Sequence, residues 1–142
     1  MRIRQINQSP RTFAIIFDIG DEASAGLLEA AKQNNIRGAQ IAGIGAFSDV
    51  KLAFYDLKTK HYEPIEVREQ VEVVSLLGNV AQLQNGETKI HVHCAVGKRN
   101  GGMVGGHLLE GHVKPTLEVI MTETAPLLRK QNDEVGLPLL EP

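Results

Sequence analysis

The sequence is poor in aromatic residues and carries no excess of basic ones. Only 4% of its 142 residues are aromatic and none is Trp, so a core must be built mainly from Ile, Val, Leu and Ala. The formal net charge is −2, whereas a domain that neutralises nucleic-acid phosphates usually shows a clear basic excess. The composition therefore argues against nucleic-acid binding as the main activity, although a local basic patch stays compatible with it.

Cysteine and long apolar runs are also scarce. Cys94 is the single cysteine, which excludes a disulfide within the chain and is typical of a reducing cytosol. No apolar run reaches the length of a membrane span. Residues Met1 to Gln5 alternate in polarity, unlike the apolar centre of a signal peptide. We therefore expect a cytoplasmic protein with no membrane contact.

Length and hydrophobic pattern predict one α+β domain over residues 1–142. Hydrophobic residues make up 42% and charged residues 23%, which are ordinary values for a globular domain. The apolar spacing from Glu22 to Asn34 predicts one main helix, with Asp21 as its N-cap. The remainder predicts about eight strand segments. Turn signals such as Asn85-Gly86 favour a mostly antiparallel sheet with the helix packed on one face.

Several glycines and one apolar run carry more specific expectations about the strands. The near-continuous apolar run Thr12–Ile19 predicts a strand buried on both faces. Gly43 and Gly45, two positions apart, indicate a bulge, a bend or the close approach of another chain. A kink is expected at Gly78-Asn79, and a break in the strand is expected at Glu110-Gly111.

The stretch from Ile90 to Glu110 holds three of the five histidines. His91 and His93 stand two positions apart in a β-prone segment, so their side chains share one face about 7 Å apart at Cα. The polar, Gly-rich turn from Gly97 to Gly102 then returns the chain and lets His107 approach from a neighbouring strand. Three imidazoles leave one coordination position open, as in catalytic zinc sites, so the pattern predicts a divalent-metal site.

Other interpretations of these histidines stay open. Two histidines at this spacing often face solvent or bind within the sheet without a metal, and neutral imidazoles suit Zn, Cu, Fe or Ni. Zinc is the metal we expect. Strand alternation turns Cys94 away from His91 and His93, which makes it a small core residue rather than a ligand. His112, five positions after His107, is a reserve ligand that would need a break in the alternation.

Three charged residues near the histidines are candidate ligand-binding residues. Lys98 and Arg99 form a basic turn that could contact an anion beside the site, although a solvated hairpin tip is the more common explanation of such a turn. Glu110 could accept a hydrogen bond behind a ligand or serve as a general base. No phosphate-binding loop, dinucleotide-binding glycine pattern or nucleophile elbow occurs, so the sequence names no catalytic residue and leaves open whether the protein is an enzyme.

An ordered set of motifs resembles the PPC domain, the plants and prokaryotes conserved domain. The matching segments, in chain order, are Gly43-Ile44-Gly45, Leu52-Ala53-Phe54-Tyr55-Asp56, the run from Val71 to Asn79, His91-Val92-His93, the run from Gly105 to Gly111, Thr116-Leu117-Glu118-Val119-Ile120 and Leu128-Arg129-Lys130. The resemblance covers nearly the whole chain.

This resemblance implies an α+β domain that assembles as a homotrimer. It also implies that some prokaryotic members hold a metal through histidines matching His91, His93 and His107. Plant members follow an AT-hook and act on AT-rich DNA, whereas this sequence lacks the Arg-Gly-Arg-Pro core of that element. Two function classes follow. The first is a trimeric metal-binding domain whose site serves a small ligand or an unknown reaction, and the second is a regulatory or DNA-associated interaction module in which the metal is structural or absent.

Overall fold

The computed structural model of the chain describes residues 1–141. Along them run nine strands and one helix, with the following bounds: β1 Arg2–Gln8, β2 Arg11–Phe17, α1 Ala23–Gln33, β3 Ala39–Asp56, β4 His61–Val67, β5 Val71–Leu83, β6 Thr88–Gly97, β7 Met103–Glu123, β8 Leu128–Asn132 and β9 Leu137–Glu141. The α+β class predicted from the sequence is confirmed. None of the helices described is long and apolar enough to cross a membrane.

All nine strands belong to one sheet with the order β1-β2-β7-β3-β5-β8-β9. β4 pairs with β3, and β6 pairs with both β5 and β7, so β3, β5, β6 and β7 form a closed ring of four strands. Every pairing is antiparallel except that of β5 with β8. The long strands β3 and β7 therefore pair with shorter strands along most of their length. The histidine-bearing strands β6 and β7 each have paired strands on both sides, so neither lies at an edge of the sheet.

The helix covers one face of the sheet. Ala23, Leu27, Ala30 and Ala31 are buried on its inner side, as the apolar spacing predicts. The expected N-cap is wrong: Glu22 caps the helix, accepting hydrogen bonds from the backbone N–H groups of Ser24 and Ala25. The same carboxylate also accepts the N–H of Gly111 in β7 at 3.0 Å. Glu22 takes the role because it fastens the helix to the sheet as well as capping it.

The predicted burial of β2 on both faces is also wrong. Phe13, Ile15 and Phe17 are buried, but the residues between them are only half-buried. The helix covers one face only, so the other side of this strand lies under no second layer. The inner side chains join a single core whose largest members are Phe17, Phe47, Ile15, Leu27, Ile36, Ile41, Leu52, Leu76, Leu117 and Met121.

The paired glycines of β3 mark a bulge, as one of the predicted alternatives states. The register with β5 shifts between Gly43 and Gly45. A Cβ at Gly43 would lie 3.0 Å from the carbonyl oxygen of Glu118, and one at Gly45 would lie 2.6 Å from the Cα of Leu117. The close approach that these glycines permit is therefore between β3 and β7 of the same chain.

The predicted break at Glu110-Gly111 is absent from β7, and the position of the predicted kink at Gly78-Asn79 does not interrupt β5. β5 runs through Gly78 and Asn79, and β7 runs through Glu110 and Gly111. The glycines serve packing instead: a Cβ at Gly111 would lie 2.8 Å from the ring of Phe47, and one at Gly78 would collide with the carbonyl oxygen of His91. The sequence alone does not distinguish a glycine that makes room for a neighbouring atom from a glycine that ends a strand.

The Asn85-Gly86 signal correctly predicts the hairpin between β5 and β6. The turn is not the two-residue type usual for an Asn-Gly sequence. The N–H of Gly86 donates to the carbonyl of Leu83, and only Gly86 in this turn has a positive φ, at 83°. This hydrogen bond makes Gln84 and Asn85 the central residues of the turn. Glu87 then closes the loop by accepting the N–H of Leu83 at 2.8 Å, and β6 begins at Thr88.

Candidate metal centre

Two neighbouring strands bring the three predicted histidines together. His91 and His93 lie two positions apart on β6, and His93 stands directly opposite His107 on β7. Because alternate residues of a strand share a face and directly opposed residues share it too, all three imidazoles project to the same side. The local reason is the polar turn from Gly97 to Gly102, which folds β7 back along β6 in this register.

The three imidazole rings form a compact triangle. Their centroids are 5.0 Å apart for His91 and His93, 5.1 Å for His91 and His107, and 5.6 Å for His93 and His107. The Nε2 atoms of His91 and His93 are 3.1 Å apart. One nitrogen from each ring lies within 4.8 Å of the other two. His93 is exposed and the other two rings are half-buried, so the cluster is open to solvent on one side.

Burial holds two of these imidazoles in their neutral form. It lowers the pKa of His107 to about 4, with the other two histidines as smaller causes. It also lowers the pKa of His91, with the nearby Arg129 guanidinium as the next cause. Neutral imidazole is the form that binds metals. Two of the three rings are thus ready to act as ligands at neutral and mildly acidic pH.

A buried arginine supports the cluster from β8. Arg129 is only 6% exposed, and its Nη1 donates to the carbonyl of Pro138 at 3.1 Å. Its Nη2 donates to Oδ1 of Asn79 at 2.8 Å and lies 3.2 Å from Nδ1 of His91. Its Nε has no hydrogen-bond partner among the described residues. Burial lowers the pKa of this guanidinium, which nevertheless stays charged because its ordinary value is so high.

A tyrosine from β4 closes the cluster on another side. The ring of Tyr62 packs on His107 with centroids 4.8 Å apart, and Tyr55 packs on Tyr62 at 4.9 Å. Burial raises the pKa of Tyr62, so its phenol stays protonated at neutral pH. This aromatic stack fixes the plane of the His107 ring.

His91, His107 and Arg129 border a cavity of about 80 Å³. Its remaining walls are Tyr62, Lys89, Ile90, Leu137, Pro138 and Leu139. No Asp or Glu lines this cavity within residues 1–141. The space beside the cluster is therefore bordered by positively charged and apolar side chains.

The donor set fits a divalent transition metal such as zinc. Zinc–nitrogen bonds of about 2.0–2.1 Å in a tetrahedral arrangement separate two nitrogens by about 3.3 Å. His91 and His93 are close to that spacing, and the third imidazole needs to approach by at most about 1.5 Å from the 4.8 Å limit of the cluster. In addition, Nδ1 of His107 is buried without a hydrogen-bond partner in the described part of the chain, as expected of a nitrogen that lacks its natural ligand.

The other predicted site residues lie outside the cluster. Lys98 pairs with Glu69 at 2.9 Å at the hairpin tip, five residues and about 16 Å of strand beyond His93. Arg99 belongs to the same tip. Glu110 lies 3.4 Å from Nε2 of His112, three positions after His107. The ligand-binding role proposed for Lys98, Arg99 and Glu110 stays a prediction, and no contact with the three histidines supports it.

Cys94 and His112 occupy the positions that strand alternation indicates. Cys94 is buried in the core, and burial raises the pKa of its thiol to about 12, so it is an inert side chain rather than a ligand. His112 binds Asp49 through Nδ1 at 2.8 Å, and this pair raises the pKa of the imidazole. β7 continues through His112, and this imidazole does not join the other three histidines.

Sequence reasoning missed Arg129, Tyr62 and Lys89. Arg129 falls within the Leu128-Arg129-Lys130 motif of the family resemblance, but a charged residue in a short strand usually indicates an exposed face. Lys89 could have been found, because it lies two positions before His91 on the same strand face. Tyr62 lies on β4, which pairs with β3, and no local signal in the sequence links that strand to His107.

The fold and the site define an α+β protein with a three-histidine cluster at a strand pair. The family model of the Plants and Prokaryotes Conserved (PCC) domain matches residues 4–125. The chain therefore belongs to this family, which is the one abbreviated PPC above. No curated protein matches the chain.

Several solved structures share the fold over nearly the full length. A candidate DNA-binding protein from Bacteroides thetaiotaomicron is 26% identical, with a TM-score of 0.91 over 99% of this chain and 96% of the other. A PPC protein from Pyrococcus horikoshii is 29% identical, with a TM-score of 0.85 over 99% and 95%. A protein from Archaeoglobus fulgidus described as metal-containing is 26% identical, with a TM-score of 0.84 over 99% and 97%.

Proposed function

We propose that this chain binds one divalent metal, zinc, through His91, His93 and His107. The observation that carries this proposal is the convergence of three imidazole nitrogens within 4.8 Å, two of them on rings that burial keeps neutral. The metal-containing relative from Archaeoglobus fulgidus supports it. A zinc ion held by three histidines keeps a position for water or a small ligand and acts there as a Lewis acid.

Elemental analysis of protein purified without chelators or an affinity tag tests this proposal. We expect close to one equivalent of zinc per chain, and recovery of the same amount when chelator-treated protein is reloaded and dialysed. The metal carried by the protein as purified decides between zinc and Cu, Ni, Co or Fe, because a competition in the reloading step would favour copper at such nitrogens whichever metal is natural. Protein that neither carries nor takes up any of these metals would refute the metal site.

We also propose that the protein works as a homotrimer. An apolar surface on β3, β5 and β7 supports self-association: Ile44 is 61% exposed, Val74 and Leu77 are 54% exposed and Ile120 is 44% exposed. These side chains line one concave surface together with Ile16 and Val119. Contiguous apolar patches of this kind usually mark an interface. The number of three subunits comes from the family resemblance.

A second candidate function is DNA binding in a regulatory role. The description of the relative from Bacteroides thetaiotaomicron favours it. The net charge of −2 opposes it, because each phosphate contact needs a basic side chain free to neutralise it. Of the basic residues at the predicted hairpin tip, Lys98 is engaged by Glu69.

A further inference from the structure

We propose that the cavity beside the histidine cluster binds a small organic carboxylate, with its charged group on Arg129 and Lys89 and its apolar end against Leu137 and Leu139. This inference rests on the proposed metal site and names the class of ligand that occupies its open side. The carboxylate would approach the metal's free position from the cavity, so that its oxygens meet a metal and two cationic side chains.

Arg129 is the first reason. A guanidinium buried to 6% exposure has no carboxylate partner within residues 1–141, since its hydrogen bonds go to Pro138, Asn79 and His91 only. Its Nε is unsatisfied. A buried charge without a counter-ion is costly, and a guanidinium matches the planar geometry of a carboxylate better than that of any other common anion except phosphate.

Metal binding would increase this demand for an anion. An imidazole that binds a metal through one nitrogen carries its proton on the other. The Nε2 of His91 faces His93, so its Nδ1, which lies 3.2 Å from Nη2 of Arg129, would hold the proton in the metal-bound form. Two donors would then face each other, and Nη2 would lose this acceptor just as its Nε already lacks one.

The shape of the cavity selects an organic anion over an inorganic one. Ile90, Leu137, Pro138 and Leu139 also line the cavity, and apolar atoms of a ligand would be buried against them. A cavity of about 150 Å³ holds benzene with its six non-hydrogen atoms, so the 80 Å³ found here suits about three by the same measure. The carbon atoms of propionate have this size, with the carboxylate oxygens directed to the charged groups, whereas phosphate has no apolar end.

Calorimetric titration of the full chain tests the proposal, with propionate as the probe and zinc content measured on every sample. We expect propionate to bind the zinc-loaded protein and to bind at least about tenfold more weakly after zinc removal. Propionamide, equal in size but uncharged, should bind at least about tenfold more weakly than propionate, as the loss of a charge-assisted hydrogen bond predicts. Inorganic phosphate should also bind more weakly than propionate.

Two variants locate the binding. Lys89→Gln changes an exposed side chain and should weaken propionate binding several-fold with the zinc content unchanged. Arg129→Met keeps the buried stem and should weaken binding at least about tenfold. Lys130→Gln is the matched control, because it removes one positive charge from the neighbouring, exposed position of β8, and it should leave binding unchanged. If Arg129→Met fails to fold, Lys89→Gln and the amide comparison still decide the matter.

The outcomes separate this inference from the metal proposal. Zinc-loaded protein that ignores propionate, or binds the amide or phosphate as well, would overturn the carboxylate pocket while the metal site stands. A carboxylate of another copy that pairs with Arg129 in the assembly would also overturn the carboxylate pocket, because it would occupy the position proposed for propionate. Protein that takes up no zinc but binds propionate normally would refute the metal site and leave the pocket as an independent anion site.

Discussion

His107 has the most perturbed imidazole described in the chain, and its environment shows how the site is made. Tyr62 covers one side of the ring, His91 and His93 lie around it, and no acidic group compensates a positive charge there. Burial is the main cause of its lowered pKa, which is about 4. The protein therefore stabilises this histidine as a neutral ligand and resists its protonation.

The first prediction concerns the pH dependence of stability in chelator-treated protein. An unfolded His107 titrates near 6.5 and the folded one near 4, so the unfolded state binds more protons between these values and the folded state loses stability as the pH falls through this window. The contribution of His107 amounts to at most about 3 kcal/mol. Urea unfolding at several pH values measures it.

His107→Gln is the control for this measurement, because it keeps a polar side chain of similar length and removes the titration. The stability lost on lowering the pH from neutrality should be greater for the wild type than for the variant, and this excess should be largest at the acidic end of the window. Carboxylates elsewhere affect both proteins alike. Equal pH dependence in the two proteins between pH 6.5 and 4 would show that the ring of His107 is not held neutral in the folded state.

The second prediction separates ligands from neighbours. His107→Ala should remove most of the bound metal, because two imidazoles are too few for a stable zinc site. Cys94→Ala should retain the metal, since the thiol is buried in the core and lies on the other face of β6. Elemental analysis of both purified variants gives the answer. Metal loss in Cys94→Ala alone would show that the assigned strand face is wrong.

At the scale of single elements, β5 and β6 set the position of His91. Gly78 of β5 is opposite Val92, and a side chain there would collide with the carbonyl oxygen of His91. Asn79, opposite His91, holds Arg129 at 2.8 Å. The pair Gly78-Asn79 thus shapes the site from the neighbouring strand: the glycine admits the histidine backbone and the asparagine orients the arginine.

The third prediction follows from this contact. Gly78→Ala should destabilise the protein by roughly 1–3 kcal/mol, the usual cost of an overpacked interior, and should weaken metal binding because β6 must move. Gly97→Ala at the end of β6 is the control: its Cβ would meet only side-chain atoms of Val74 and Met103, at 3.3 and 3.7 Å, and no backbone atom within 4 Å. Thermal unfolding and zinc titration measure both effects. Equal behaviour of the two variants would contradict the argument.

Periodicity predicted the class of fold and the face shared by His91 and His93, because alternation is a local property of a strand. The turn after Gly97 was enough to suggest that His107 returns to the same face. The continuous course of β7 through Gly111 could not be predicted, since the reason is the ring of Phe47 on another strand. Arg129 was invisible for a similar reason, because its burial depends on partners far along the chain.

At the scale of the whole molecule, the sheet has a covered face and an open one. The helix and the core occupy the first, and the apolar surface around Ile44 and Ile120 is exposed on the second. A monomer would expose this surface to water. The proposed association of identical chains through it would remove that exposure.

The fourth prediction is a trimer in solution. Light scattering coupled to gel filtration should return three times the chain mass of 15.5 kDa at micromolar concentration. Ile44→Lys should lower this mass, because it places a charge in the apolar surface. Ile6→Lys, at a residue 54% exposed on β1, should leave it unchanged. A wild-type protein with the mass of one chain would refute self-association.

The fifth prediction concerns DNA. The chain has 15 Lys and Arg against 17 Asp and Glu, and Arg11, Arg68 and Lys98 are already paired with carboxylates. We expect binding to an AT-rich duplex no tighter than micromolar at physiological salt. Fluorescence anisotropy over a range of salt concentrations measures it. Nanomolar affinity with a steep salt dependence would favour the regulatory module instead.

Because β7 pairs with β2, β3 and β6, the histidine cluster would not form in an isolated segment of the chain. A synthetic hairpin of residues 88–110 would contain all three histidines in sequence, yet it would lack the strands that carry Tyr62, Asn79 and Arg129 and that bury the rings. Such a peptide would behave as an ordinary histidine-rich segment, with imidazoles that protonate near their usual pKa. The three histidines lie in one short stretch of sequence, but the burial that keeps His91 and His107 neutral depends on the complete fold.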